Sequence, residues 1–173
     1  MKDLQQGGNA PLATRQTSAT LRWAPARVQG QELDVSAFLL AANGKVRNDK
    51  DFVFYGAMTS PCGSLRLTVG RDEAKFDILT DHIPADIDKV ACVATLPKGT
   101  RFGSVQSLVF SVEGAGTYPV ATVGMSEAAI IVAELYKRNG EWKMRAVGQG
   151  FNGGLGPLAT QDGVNVDEPA PVP

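Results

Sequence analysis

Apolar residues recur in short stretches along this chain, each bounded by Gly, Pro, Asn or Asp. Strand-like segments fall at 21–25 (LRWAP), 33–42 (LDVSAFLLAA), 52–55 (FVFY), 64–69 (SLRLTV), 74–79 (AKFDIL) and 89–96 (KVACVATL). Four more follow at 105–112 (VQSLVFSV), 118–123 (YPVATV), 128–138 (AAIIVAELYKR) and 141–148 (EWKMRAVG). About ten strands at this spacing predict an all-β domain, a sandwich or a barrel. No long stretch carries a helical period. A short helical turn is expected near 81–88, with Pro84 near its start.

One hairpin can be read residue by residue. Asn139-Gly140 are the residues a two-residue type I′ turn prefers. That turn sets Arg138 opposite Glu141 and Lys137 opposite Trp142. Glu134 then faces Arg145 and Tyr136 faces Lys143 on one side, where a Lys stem can lie on the ring. Leu135 meets Met144, and Ala133 meets Ala146, on the apolar side. Such cross-strand pairs contribute roughly 0.2–1 kcal/mol each.

The hairpin also decides how to read Gly148-Gln149-Gly150-Phe151-Asn152-Gly153, which fits the G-x-G-x-x-G dinucleotide fingerprint. That fingerprint needs a helix after the glycines and then a second parallel strand bearing an acid. Here the preceding strand belongs to an antiparallel hairpin, and the following residues contain Pro157 and three further prolines. No nucleotide site is expected. The glycines instead permit positive φ and close backbone approach as the chain leaves the sheet. Gly148 and Gly150 continue the apolar face with no side chains. Phe151, Leu155 and Leu158 are expected to anchor what packs there. The domain is taken as 1–166, with 167–173 a disordered tail.

Composition narrows the function classes. The 173 residues suit one domain, and the net charge of -1 gives no bulk attraction to nucleic acid or anionic lipid. No apolar run reaches the ~20 residues of a membrane span, and the N-terminal stretch lacks a signal-peptide core. A cytoplasmic location without direct membrane insertion is expected. Cys62 and Cys92 are too few for a disulfide framework. The single histidine, His82, has no nucleophile motif near it, and one His with two separated Cys lacks a zinc ligand set. No catalytic residue is expected. Oxygen ligands are more promising, because residues 31–88 hold ten of the eighteen acids. Ca²⁺ takes roughly six to eight oxygens from such groups. On spacing alone the solvated rim, interspersed with Lys45, Lys50, Arg66, Arg71 and Lys75, is the better reading of those acids.

Several stretches resemble the tellurium-resistance TerD-like family of bacterial stress proteins. They are 32–56, 83–96 and 133–166, together with LQQGGNAPL at 4–12. The segment from Leu135-Tyr136 through Trp142-Lys143 to Val147-Gly148-Gln149-Gly150-Phe151 is specific to that family. The resemblance implies a β-sandwich of two antiparallel sheets and Ca²⁺ held by acids at one end. It also implies a non-catalytic role in resistance to tellurite, phage or other stress. Partners would be other tellurium-resistance proteins, in complexes that meet the membrane through those partners.

The sequence departs from the family pattern at the acids. The D-x-D-x-S segment is Glu32-Leu33-Asp34-Val35-Ser36, FYNN is Phe54-Tyr55-Gly56-Ala57, and the long acidic loop is shortened to Gly70-Arg71-Asp72-Glu73. These changes suit a divergent paralogue, of the TerA type, with one weakened Ca²⁺ site or none. If metal binds, Glu32, Asp34, Asp72 and Glu73 are the expected ligands, with Asp49 and Asp51 as nearby acids. The alternative is a metal-free scaffold in which Arg71 supplies the positive charge.

Overall fold

The computed structural model of the protein describes residues 2–12, 14–28, 30–47, 51–54, 58–60, 62–97 and 100–151, apart from the side chains of Lys2, Gln31 and Phe151. The expectations for Asp49, Leu155, Leu158, the Phe151 ring and the 167–173 tail therefore lie outside the described residues. The first strands are β1 (Lys2–Asp3), β2 (Asn9–Pro11), β3 (Gln16–Ala24), β4 (Arg27–Val28), β5 (Gln31–Glu32), β6 (Asp34–Ala41) and β7 (Phe52–Val53). They are followed by β8 (Leu65–Val69), β9 (Glu73–Leu79), β10 (Ile87–Thr95), β11 (Ser107–Val112), β12 (Gly116–Pro119), β13 (Ala129–Arg138) and β14 (Glu141–Phe151). One sheet has the order β1-β12-β11-β3-β9-β8, the other β2-β14-β13-β10-β6-β7, and β4 with β5 forms a small ribbon. Pairing is antiparallel except between β1 and β12. The fold is the expected sandwich of two sheets.

The first sheet is covered on one face. Along β3, Thr17, Ala19, Leu21 and Trp23 are buried and their neighbours are not; β9 alternates likewise through Ala74, Phe76 and Ile78. These residues meet Leu39, Val90, Cys92, Leu135 and Met144 from the second sheet in the main core. The second sheet is covered on both faces. Its outer side carries a separate buried cluster of Phe38, Leu40, Ala91, Val93, Ala129 and Ile131, against which Val46, Phe52 and Val147 pack. Phe52 stacks on Phe38 with centroids 4.6 Å apart. Double coverage explains why β6 and β10 read as continuous apolar runs.

The β13–β14 hairpin has the expected register from Arg138↔Glu141 to Ala133↔Ala146. Asn139 and Gly140 have φ of 53° and 79°, as a type I′ turn requires. Tyr136 stands opposite Lys143 as expected, and its ring carries one further contact, the Arg145 guanidinium 4.3 Å from its centroid. Diagonal neighbours across a sheet are within reach of long side chains, and the planar guanidinium stacks on a ring. The helical turn sits earlier than expected. It is a one-turn 3-10 segment at Thr80–His82, and Ile83 is already extended with ψ 125°. A residue before proline is driven to that conformation, so Pro84 lies beyond the 3-10 segment; it opens the next turn, in which the Ile87 amide bonds the Pro84 carbonyl at 3.0 Å.

Beyond Ala146 the register shifts between Ile131 and Ala133, and Gly148 adopts φ 65°. A β-bulge with a left-handed residue favours glycine there. A Cβ on Gly148 would collide with the Tyr118 hydroxyl, and one on Gly150 would lie 2.7 Å from the Glu127 carboxyl carbon. The bare backbone strip is therefore filled by Tyr118 and Glu127 of other segments.

Candidate functional site

Asp34 opens β6 and pairs with Thr95 of β10. Alternation places Asp34, Ser36 and Phe38 on the outer face of the second sheet, and Thr95 shares that face. The Ser36 hydroxyl is buried there without a hydrogen-bond partner among the described residues. Glu32, at the end of β5, lies beside Asp34. Burial, and then the Glu32 charge, push the Asp34 carboxyl above its ordinary range. Both acids line a shallow cleft of about 340 Å³ together with Arg27, Gly30 and Pro97. Arg27 reaches Glu32 at 3.5 Å, both side chains being well exposed.

Asp72 and Glu73 come from the β8–β9 turn. The Asp72 carbonyl accepts from the Trp23 amide at 3.0 Å, and the Glu73 carboxylate takes a 2.8 Å bond from Arg22. Arg22 alternates with buried Leu21 and Trp23, so Arg22 and Glu73 stand on the outer face of the first sheet. Asp34 and Glu73 thus leave the same end of the sandwich from outer faces of different sheets, whose backbones lie roughly 10 Å apart. The expected quartet is not one cluster. Among the described residues, no three His, Cys, Asp or Glu side chains are grouped to hold a metal. Arg71 is exposed and pairs with no carboxylate among the described residues; Arg22 and Arg27 do.

Asp51 belongs elsewhere. Its carbonyl accepts from the Leu39 amide, five residues along β6 from Asp34, or roughly 17 Å at ~3.4 Å per residue. The Asp51 carboxylate is fully buried and takes two guanidinium bonds from Arg47, at 2.8 and 3.0 Å, plus the Arg47 amide at 3.2 Å. Arg47 also reaches Asp86 at 3.0 Å. The hydrogen bond to Asp51, with both carboxylates' charges, raises the Arg47 pKa against the cost of its burial. The sequence offered VRNDKD at 46–51 as part of a loop rim, and nothing local marks one of its acids as core.

Two thiols complete the inventory. Cys92 is buried in the main core, and burial pushes its pKa up to about 12. Cys62 sits between Ser60 and Ser64, whose hydroxyls lie 3.5 and 2.9 Å from its sulfur. Burial alone would raise Cys62, but those hydrogen bonds with backbone ones outweigh it and lower its pKa. His82 is exposed at the end of the 3-10 turn.

The TerD domain model matches residues 1–161. The chain belongs to the TerD family. It is 36% identical over 186 aligned positions to the tellurium resistance protein TerD of Serratia marcescens, covering 94% of this chain and 97% of that protein. It is 36% identical to general stress protein 16U of Bacillus subtilis (strain 168), over 78% of this chain and 79% of that one. A tellurium resistance protein TerA from Alcaligenes sp is 39% identical over 69% of this chain, but only 37% of the TerA chain is matched. The likeness to TerD thus runs nearly end to end, whereas TerA contains a comparable segment within a longer protein. The fold resembles the crystal structure of a TerD homologue, SCO6318 from Streptomyces coelicolor A3(2), with a TM-score of 0.64 at 18% identity over 84% of this chain and 95% of that one. No helix among the described residues is long and apolar enough to cross a membrane.

Proposed function

We propose that this TerD-family protein is a non-catalytic stress-response module that takes one Ca²⁺ weakly at Asp34 and acts through cytoplasmic tellurium-resistance partners. The observation that carries the metal reading is the Asp34 carboxylate beside Glu32, with no cation on it among the described residues, and the Ser36 hydroxyl two residues along the same face, which meets no hydrogen-bond partner among them. Glu32, Asp34 and Ser36 would hold the ion. Bound there, it would neutralise the paired acids and tie β5 to β6. Three side chains supply fewer oxygens than the roughly six to eight Ca²⁺ takes, so water would fill the remainder and affinity would be low. Asp72 and Glu73 are outside this set.

A second reading has its own support. Arg27 beside Glu32 and Arg22 on Glu73 already place positive charge at that end, as a metal-free scaffold would. Calcium titration by calorimetry and thermal melting separates the two. Weak saturable heat and a Tm that climbs with Ca²⁺ support the site, because a ligand of the native state stabilises it by mass action. No heat and no shift at millimolar Ca²⁺ leave the metal-free scaffold. Pull-downs with and without Ca²⁺ then report whether partners depend on the ion.

A further inference from the structure

The cleft of about 340 Å³ that holds Glu32 and Asp34 has one cation among its described lining residues, Arg27. Arg27 and Glu32 stand directly opposite each other across the β4–β5 ribbon, so their side chains share a face. Their neighbours Val28 and Leu33 are buried in the main core, which turns the Arg27–Glu32 face outward. The ribbon joins neither of the two large sheets. Its ion pair is loose: Arg27 Nη2 lies 3.5 Å from Glu32 Oε2, with the side chains 65% and 70% exposed. Asp34 lines the same cleft and meets no cation among the described residues. The buried Ser36 hydroxyl, two residues along the same face, meets no hydrogen-bond partner among them. Arg22 gives the contrast. It pairs with Glu73 at the same end of the sandwich, but on the outer face of the other sheet and on an acid outside the cleft.

We propose that Arg27 is a built-in competitor for the cation at this cleft, so that its guanidinium and a Ca²⁺ ion hold Glu32 in turn. The proposal rests on the calcium reading of Asp34 and adds to it the residue that sets the affinity. A dication between Glu32 and Asp34 repels a guanidinium in the same cleft, and the force falls off with distance and screening. An exposed ion pair holds little free energy, so a dication can displace Arg27. A monovalent cation brings Glu32 no more charge than Arg27 already supplies. The metal-bound form and the arginine-balanced form of this end are then two states of one site. Arg27 weakens calcium binding without abolishing it.

Calcium titration by calorimetry on the wild type, Arg27→Gln and Arg22→Gln tests it, in about 0.15 M salt so that distant charges are screened. Both substitutions are at exposed positions and should melt like the wild type in calcium-free buffer. Arg27→Gln should bind Ca²⁺ about threefold to tenfold tighter. Arg22→Gln should bind it as the wild type does. In the wild type, Ca²⁺ should also shift the side-chain NMR resonance of Arg27 and leave that of Arg22 in place. The proposal is overturned if Arg27→Gln binds no tighter than the wild type, if Arg22→Gln tightens binding as much, or if the Arg27 resonance stays unmoved at saturating Ca²⁺. A wild type silent at millimolar Ca²⁺ beside an Arg27→Gln variant that binds saturably would support the competition and remove the calcium reading for the native chain. No heat from either protein would overturn both.

Discussion

The two sheets have six strands each and differ in how many faces are covered. On the outer face of the first, Arg22–Glu73 and Lys75–Asp77 pair in water. On the outer face of the second, Phe38 and Phe52 stack over a buried apolar cluster, and at the edge of that sheet Asp51, bonded through its carbonyl to Leu39, is sealed under Arg47. The same chemical motif, an arginine on a carboxylate, therefore appears in two solvents. Exposed pairs of this kind contribute about 0.2–1 kcal/mol, whereas removing one partner of a buried pair costs about 3–5 kcal/mol because the other charge is left stranded.

The largest expected effect breaks the buried side of the comparison. Arg47→Ala leaves the fully buried Asp51 carboxylate without its guanidinium. Urea unfolding at neutral pH should show a loss of about 3–5 kcal/mol. A loss below about 1 kcal/mol would mean that the Asp51 carboxylate is solvated and the pair behaves like the exposed ones.

A smaller effect is expected where the sheets meet through Gly148. Valine there must adopt φ near 65° and displace the Tyr118 hydroxyl contributed by the first sheet. Overpacking of that kind costs about 1–3 kcal/mol, and a β-branched residue at positive φ adds to it. Gly148→Val melting like the wild type would show that Tyr118 moves aside freely. On the solvated face, Arg22→Ala should cost only about 0.2–1 kcal/mol, and the difference from wild type should shrink in high salt.

What the sequence made legible follows the range of each interaction. The last hairpin was readable to the residue because turn chemistry and pairing across Asn139-Gly140 are local and agree. The runs of β6 and β10 were read as strands, and that both their faces are covered emerged only from the structure. The two-residue strands β1, β4 and β5 and the three-residue β2 were not legible, being too short to carry a period. The acids at one end were found, but not that Glu32 and Asp34 are separated from Asp72 and Glu73. That separation depends on which strands enter which sheet, and alternation along one strand holds no information about the sheet it joins. Asp51 was misplaced for a similar reason, since its burial comes from contacts with β6 and Arg47 and not from its neighbours in sequence.

The smallest expected effect is the sharpest probe of the functional end. Burial and Glu32 raise the Asp34 carboxyl above the ordinary aspartate range, so its ionised form opposes folding. Below the pKa of the unfolded chain both states hold the proton and no cost exists. The cost grows as pH rises and is complete above the folded pKa. Asp34→Asn removes the charge while keeping the shape. Its Tm should match the wild type near pH 3 and lie slightly above it at pH 7 without calcium. Millimolar Ca²⁺ should raise the wild-type Tm at pH 7 and leave the variant unmoved, narrowing or reversing the difference. If the variant instead melts below the wild type at pH 7 in calcium-free buffer, the carboxylate already has a favourable partner in the apo protein. The metal-free scaffold balanced by arginine would then be the better account of this end of the sandwich.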